Sequence, residues 1–418
     1  MNRDTRKSIL VIAYALEPNR GSEHEVGLRW SVMIAKATEQ LGYNVYVVTR
    51  AKKRKAIESI KGELPSNLHF IYFDFPQKLL FWKKGSLTVL LYYNLWQIGA
   101  FLKLKFGKEK VDPDIIHHVT FVNDYLPAYF AFFSRRAKFV WGPMASNNLL
   151  PCVLSPSIMI CVKDRLKFFS KFFVRILNPL FWAAIRRADV LIVPTPGVKN
   201  RLKKIFKLEN KFIILPQSSG LYLPEVAENK IIPKNRFVVL FAGQFIYLKS
   251  PHLVVDSFEH FIRKYEVKRA ELIFIGDGPL RKFVEKRVVE RNISDYVSFI
   301  ERLPRNEFME WLRSASVFLF PTVEEVGMVI FEAMLLEVPV ITLKCAGLAS
   351  FITSWENGIT VECSEYQKMV NNITDILWTL YSNPQLRVKI GKSGKEMVKK
   401  NFSDKIVLDR LREIYEEK

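Results

Sequence analysis

Cysteine is scarce in this 418-residue chain. The four that occur, Cys152, Cys161, Cys345 and Cys363, form no C-x-x-C pair and stand beside no clustered histidines, so the common zinc and redox arrangements are excluded. A reduced, metal-free protein of the cytoplasm is the expectation. Acidic residues are also in short supply. Forty-two Asp plus Glu against 63 Lys plus Arg leave a formal net charge of +21, which favours anionic partners such as nucleic acid, an acidic membrane or phosphorylated substrates. No recognisable nucleic-acid-binding motif accompanies that charge, and nucleic acid is not an expected partner. Long apolar runs are missing as well. Residues 85–102 are uncharged, but Asn94, Gln97 and two glycines dilute them, so they read as an amphipathic or buried helix rather than a span. Residues 139–162 are interrupted by Pro143, Pro151 and Pro156 and read as loop. The short apolar run near the start, "SILVIAY", reads as a first strand rather than a signal peptide.

What is present is ample material for two cores, with 49% hydrophobic and 13% aromatic residues in a chain too long for one. Short, nearly continuous apolar runs at 8–14, 44–49, 69–73, 114–119, 138–142, 189–193 and 211–215 alternate with helical patterns such as 23–41. Strands covered on both faces of a parallel sheet have this character, and the alternation predicts a doubly wound α/β domain. After a polar, proline-bearing stretch at 216–235 the pattern restarts with runs at 237–243, 271–276, 297–300, 317–321 and 338–342. Two such domains are expected, 1–220 and 221–402. The amphipathic segment 403–418 either completes the second or packs back on the first.

The stretch "PTVEEVGMVIFEAMLLEVPVIT" (321–342) sets two acids, Glu324 and Glu332, eight positions apart across Gly327. A strand leads into Pro321 and a helix opens at Gly327, so the N–H groups of Gly327, Met328 and Val329 offer a small anion site. Eight helical residues span about 12 Å, enough for the two carboxylates to bracket an extended ligand with an anionic centre. A nucleotide diphosphate sugar has that layout. Acids also favour helix N-termini for purely structural reasons, and spacing alone leaves both readings open.

The surroundings carry a resemblance. The stretch resembles the E-x7-E motif of the family 4 retaining glycosyltransferases, the group 1 glycosyl transferases. Thr322, Glu324, Gly327, Met328, Glu332, Ala333, Pro339, Val340 and Ile341 fall on matching or near-matching positions, while Val326 and Glu337 replace the usual aromatic and glycine. "FAGQFIYLKSPHLVVDSF" (241–258) is similar to the family segment whose Arg and Lys hold the diphosphate: Lys249 matches, Gln244 stands at the arginine and Ser250 at a glycine. "IGDGPL" (275–280) is similar to the G-x-G-P turn, where Gly276 and Gly278 read as turn formers. "RGSEHEVGLRW" (20–30), "HHVTF" (117–121) and "WGP" (141–143) are similar to elements of the N-terminal domain, with "ASNN" where further glycines often follow.

That resemblance implies a GT-B fold, two Rossmann-like doubly wound domains facing a cleft. It implies a retaining, metal-independent glycosyltransferase without cofactor, moving a sugar from a nucleotide-sugar donor to a glycan or lipid-linked acceptor in cell-surface polysaccharide or lipopolysaccharide assembly. Glu332 would hold ribose hydroxyls and Glu324 those of the donor sugar. Lys249 and the helix end at Gly327, Met328 and Val329 would stabilise the leaving diphosphate. Gln244 would supply a neutral contact, and Gly21 would bring backbone N–H groups to the phosphate. His118 is the expected donor or acceptor contact, since alternation along a strand should bury one of His117 and His118 and present the other. Gln244 and the missing glycines also fit an alternative, a non-catalytic glycan- or membrane-binding protein on a degraded GT-B fold.

The remaining basic charge concentrates at 163–187. Lys163, Lys167, Lys171 and Arg175 follow at i, i+4 intervals beside Phe169, Phe172, Phe173, Ile176 and Leu177. A cationic ridge next to an aromatic face suits a helix lying on anionic lipid, and predicts peripheral association with the inner face of the cell membrane. A core helix with a solvated outer face is the competing reading.

Overall fold

The computed structural model describes residues 7–18, 22–76, 78, 86–107, 111–146, 149, 151–208, 211–215, 236–325, 327–345 and 347–416. The chain divides into two compact units, one of residues 1–146, 170–220 and 404–418, the other of 147–169 and 221–403. The expected linker at 216–235 lies outside the described residues.

The first unit is built on seven parallel strands: β1 (Ser8–Ile12), β2 (Asn44–Arg50), β3 (Leu68–Phe73), β4 (Ile115–His118), β5 (Lys138–Trp141), β6 (Val190–Val193) and β7 (Phe212–Ile214). Their spatial order is β3-β2-β1-β4-β5-β6-β7. The connecting helices are α1 (Ser22–Thr38), α2 (Arg54–Glu58), α3 (Ser86–Phe106), α5 (Pro179–Arg187) and α6 (Pro196–Phe206), together with the second half of α4 (Ile158–Leu177), whose residues up to 169 belong to the second unit. β1 is buried along its whole length, as covering by helices on both faces demands. α3 behaves as its composition suggests. Tyr92, Tyr93, Trp96 and Ala100 are buried while Leu91, Leu102 and Phe106 are exposed, and buried Gln97 donates to the Pro127 carbonyl at 3.3 Å.

The second unit repeats the plan with β8 (Phe237–Ala242), β9 (Ala270–Ile275), β10 (Val297–Ile300), β11 (Val317–Leu319), β12 (Val340–Leu343) and β13 (Ile359–Val361) in the order β10-β9-β8-β11-β12-β13. Its helices are α7 (Pro251–Lys264), α8 (Arg281–Glu290), α9 (Arg305–Ser314), α10 (Met328–Leu335), α11 (Tyr366–Ser382) and α12 (Pro384–Phe402). A final helix, α13 (Asp404–Glu416), belongs to the first unit, where the Tyr415 hydroxyl lies 2.6 Å from His117 Nδ1 and Arg412 donates to the Ala37 carbonyl. In both sheets the strand order reverses beside the first strand, between β1 and β4 and between β8 and β11. Crevices at such switch points, outside the carboxyl ends of the strands, are where open α/β sheets bind ligands.

Two expectations change here. The stretch 139–162 is not loop throughout, because α4 begins at Ile158, and its second half packs with the second unit rather than the first. Leu154 is fully buried in that unit's core, and the Tyr247 hydroxyl donates to the Pro151 carbonyl. Within the same stretch Cys152 and Cys161 are joined as a disulfide, with Cα atoms 5.4 Å apart, contrary to the expectation of reduced thiols. The turn between Cys152 and the start of α4 folds a nine-residue separation back on itself.

α4 is amphipathic in an unusual sense, since nearly all of it is exposed. Ile158, Leu166, Phe169, Phe173 and Leu177 are exposed alongside Lys163 and Lys167, which removes the core-helix reading. Arg175 leaves the cationic ridge. It is buried and donates from Nη1 to Asp124 Oδ2 at 2.8 Å, because this turn of α4 faces a carboxylate from the β4–β5 connection. Burial pushes the Asp124 carboxyl upward, and the Ser146 hydroxyl and the Arg175 guanidinium oppose that. Arg175→Ala therefore strands a buried charge and should lower unfolding stability by about 3–5 kcal/mol. Chemical denaturation checks this, and a loss within about 0.5 kcal/mol would be that of an ordinary surface residue.

Candidate active site

The second unit collects the sequence-predicted donor residues at its switch point. β8 ends at Ala242, Gly243 follows with a φ of +150° that suits glycine, and the chain then turns through a 3-10 turn, Tyr247–Lys249. The turn folds Lys249 back over Gly243, so that a Cβ on Gly243 would stand 3.2 Å from Lys249 Nζ. Ser250 follows with φ 42° and ψ 51°, a left-handed conformation that explains why a glycine is usual at this position. α7 starts at the next residue. Gly276 is equally constrained: a Cβ there would overlap the Gly243 carbonyl oxygen at 2.2 Å, so the 276–278 turn is a close backbone approach.

β11 ends next to β8, and the chain beyond it supplies the second half of the site. Lys249 Nζ lies 3.6 Å from Glu324 Oε2 and 5.4 Å from the centre of the Phe320 ring. Thr322 ties the two loops together, donating from its hydroxyl to the Leu248 carbonyl at 3.2 Å and accepting from the Glu324 N–H at 3.1 Å. Burial raises the Glu324 carboxyl above the usual carboxylate range, and Lys249 works against that shift. After Gly327, α10 begins at Met328, and its first N–H groups have no partners within the helix. Gln244 is exposed at the end of β8.

Glu332 lies on α10 and is only 2% exposed, with Oε1 accepting from Arg305 Nη2 at 2.6 Å. An isolated carboxylate is costly to bury this deeply, and the ion pair with Arg305, the first residue of α9, offsets that cost and fixes the orientation of Glu332. Neither Arg305 nor Thr322 was identified as a site residue from the sequence. Thr322 carried a signal through its place in the matched motif, whereas Arg305, 27 positions from its partner, carried none.

In the first unit the histidine pair departs from expectation. Both His117 and His118 are buried, because the helices cover both faces of β4. His117 Nε2 donates to the Gly142 carbonyl at 3.0 Å, which leaves Nδ1 to accept from the Tyr415 hydroxyl. His118 Nε2 lies 2.7 Å from the Tyr93 hydroxyl, and its Nδ1 is buried without a hydrogen-bond partner. His118 is therefore not presented to solvent. Nearby, the buried carboxylate of Glu23 accepts from the Phe121 N–H, an anchor that the glycine-loop resemblance did not single out. Gly27 lies within α1, where a Cβ would collide with the Ala15 carbonyl oxygen at 2.0 Å. Gly21 lies outside the described residues. No group of three or more metal-binding side chains occurs among the described residues.

Comparison with known proteins agrees with this geometry. The family of glycosyl transferases group 1 matches residues 224–397, and Glycosyltransferase Family 4 matches residues 29–217. The chain belongs to the group 1, family 4 glycosyltransferases. An uncharacterized glycosyltransferase of Methanocaldococcus jannaschii is 27% identical over 57% of this chain and 62% of its own length. The capsular polysaccharide biosynthesis glycosyltransferase CapM of Staphylococcus aureus is 27% identical over 50% of this chain and 56% of its own. The chain thus spans about three fifths of the length of these curated relatives. Among solved structures, Anabaena HepE in complex with UDP and glucose superposes with a TM-score of 0.60 over 98% of this chain and 99% of that one, at 14% identity, and so shares the fold. The two Rossmann-like sheets are those of a GT-B protein.

Burial holds both His117 and His118 down at about 3, against an ordinary value of 6.5. The folded state then binds fewer protons than the unfolded chain below pH 6.5. Stability is full above about 6.5 and declines as pH falls towards 3, by up to about 1.4 kcal/mol per pH unit for each histidine. In His117→Gln the plot of unfolding free energy against pH should be shallower between 6.5 and 4. Parallel plots for the two proteins would mean that His117 is charged in the folded state.

Proposed function

We propose that this protein is a retaining, metal-independent glycosyltransferase that uses a nucleotide-sugar donor and a glycan or lipid-linked acceptor, in polysaccharide or lipopolysaccharide assembly at the cell surface. The observation that carries this reading is the convergence of Lys249, Gly243 and Glu324 at the β8–β11 switch point, in front of the N-terminus of α10. The naming of CapM for capsular polysaccharide biosynthesis and the UDP and glucose held by HepE support the pathway and donor class.

In this mechanism the donor diphosphate rests between Lys249 Nζ and the first N–H groups of α10, where glycine backbone leaves room for phosphate oxygens. Negative charge on the leaving diphosphate grows as the anomeric bond breaks, and a fixed ammonium and a fixed helix end stabilise that charge without reorganising. Glu332, oriented by Arg305, accepts from ribose hydroxyls, and Glu324 accepts from hydroxyls of the sugar. Attack comes from the face the diphosphate leaves, with a diphosphate oxygen taking the acceptor's proton, so the anomeric configuration is kept and no protein nucleophile is needed. Gln244 donates a neutral hydrogen bond where an arginine would add charge. His118 acts from beneath the surface, through Tyr93, rather than by touching substrate.

The same reading places the protein at an anionic membrane surface, peripheral to its inner face. α4 supports this, with Phe169, Phe172 and Phe173 exposed next to Lys163, Lys167 and Lys171. Among the described residues no single helix is long and apolar enough to cross a membrane. α4 and α5 would pass such a test only together, and they are bent by 70° at Asn178. A helix with one aromatic flank and one cationic flank lies in the interface instead.

Two measurements test these statements. With a panel of UDP-, GDP- and ADP-sugars, one donor should raise the melting temperature and be turned over, with the anomeric configuration kept in the product. Lys249→Ala should then lower kcat by about 10²–10³ with a smaller change in donor binding, and Glu332→Gln should weaken donor binding by about 1.5–3 kcal/mol. Turnover unchanged in both variants would remove this site from the reaction. Separately, sedimentation with phosphatidylglycerol vesicles should pull down the protein, and Lys163→Glu with Lys167→Glu should cut binding at least tenfold, at about 1 kcal/mol per cation lost. Equal binding to phosphatidylcholine vesicles would count against the electrostatic half of the docking.

A further inference from the structure

Cys345 and Cys363 are eighteen positions apart in sequence and adjacent in space. β12 and β13 pair in parallel with Ile341 opposite Ile359, Thr342 opposite Thr360 and Leu343 opposite Val361. The Lys344 N–H donates to the Val361 carbonyl at 2.8 Å, which carries the ladder one step further. Continued two residues beyond the strand ends, the same offset sets Cys345 opposite Cys363. Neighbouring strands lie about 4.8 Å apart, inside the range of about 4.4–6.8 Å between Cα atoms that a disulfide spans. A thiol hydrogen bond already joins the two sulfurs, and both residues are only partly buried.

The pair is connected to both loops of the candidate active site. On one side Cys345 leads within two residues to Gly347, whose N–H donates to the Glu324 carbonyl at 3.2 Å. Contact there is tight, since a Cβ on Gly347 would overlap the Glu325 carboxylate and backbone. On the other side Cys363 is close enough to the Tyr247 phenol to interact with it electrostatically, and Tyr247 opens the turn that ends at Lys249.

We propose that Cys345 and Cys363 form a reversible thiol–disulfide site, modified by low-molecular-weight disulfides, whose oxidation loosens the donor site. The coupling half of this proposal rests on the donor reading given above, and the chemical half does not. The hydrogen bond from Cys345 stabilises the Cys363 thiolate, lowering that thiol and raising its partner, so Cys363 is the attacking group. The Cys363 thiolate attacks one sulfur of R–S–S–R, forms a mixed disulfide and releases RS⁻. Cys345 then loses its proton to solvent, and its sulfur displaces the second RS⁻ from Cys363. The sum is two protein thiols plus R–S–S–R giving one protein disulfide plus two RSH, with the low-molecular-weight disulfide reduced by two electrons. Hydrogen-bonded sulfurs must close to about 2.05 Å to bond, a movement on the order of 1 Å or more. That movement displaces Lys344 and Cys345, two residues before the contact of Gly347 with the Glu324 backbone. A misplacement of about 1 Å in a positioned group costs up to about a hundredfold in rate.

The test treats the full chain with excess glutathione disulfide, caps remaining thiols with iodoacetamide, and maps peptides by mass. The expected product joins the peptides of Cys345 and Cys363. Cys345→Ser should stop at the glutathione adduct on Cys363, whereas Cys363→Ser should leave Cys345 unmodified. Recovery of both cysteines as capped free thiols, or of glutathione on each without a cross-link, overturns the site. For the coupling, binding of UDP, GDP and ADP is measured before oxidation, after it, and after reduction with dithiothreitol. The nucleotide that binds the reduced chain should bind the oxidised chain at least tenfold more weakly, with full recovery on reduction and no response in Cys345→Ser/Cys363→Ser. A cross-link that forms without changing that affinity overturns the coupling. If no nucleoside diphosphate binds the reduced chain, the donor reading fails along with the coupling, and the peptide map still decides the thiol site.

Discussion

A parallel strand covered by helices on both faces can offer polar chemistry only where it ends. That constraint governs the second unit, where β8 is buried over its whole length and every residue of the candidate site lies beyond a carboxyl end. The reversal of strand order between β8 and β11 then opens a crevice, because the chain leaves the two strands in opposite directions. Lys249 and Glu324 come from the two sides of that crevice and meet at 3.6 Å. Burial and opposite charge act against each other in this pair. Desolvation favours a neutral Glu324, Lys249 favours an ionised one, and the outcome is a carboxylate held near a cation that is itself held against glycine backbone.

Much of this was legible in the sequence for a physical reason. The E-x7-E stretch is local: strand end, acid, glycine and helix follow one another within a dozen residues, so spacing alone constrains geometry. Lys249 was legible through its distance from the end of β8, and the structure brings it back over Gly243. Arg305 was not, because its ion pair with Glu332 joins the first residue of α9 to the middle of α10, elements that sequence order does not relate. The same limit applies to Arg175. Four basic residues at i, i+4 intervals share one face of a helix, but only the tertiary fold places Asp124 under the last of them. His118 failed differently. Strict alternation presents one of two successive residues when a sheet has a wet face, and β4 has none, so both histidines are buried and neutral.

The cysteines show how an absence in sequence can conceal a presence in space. No two lie close enough for a C-x-x-C reading, yet all four are placed in pairs within the second unit. One pair arises from a tight turn running into a helix, the other from the register of two parallel strands. Parallel register follows from hydrogen bonding and side-chain burial over several residues, and no local motif encodes it. Counting and spacing therefore describe cysteine chemistry poorly in a doubly wound domain, where residues nearly twenty positions apart stand side by side after each crossover.

Charge is distributed by the same logic. Cations next to a buried carboxylate, Arg175 with Asp124 or Arg305 with Glu332, are consumed in pairing with it and add little to the external field. The excess of +21 is carried by side chains such as Lys163 and Lys167 that face outward. At the candidate site Lys249 is balanced by Glu324, and Gln244 supplies no charge where an arginine is usual. Under the proposed donor reading, a diphosphate entering there would meet a near-neutral pair and the end of a helix instead of two free cations. Its attraction comes from oriented N–H groups at short range, and those act at full strength only when phosphate oxygens occupy the positions the glycine backbone leaves open. On that reading, recognition at this site would be set more by shape than by net charge, even in so basic a protein.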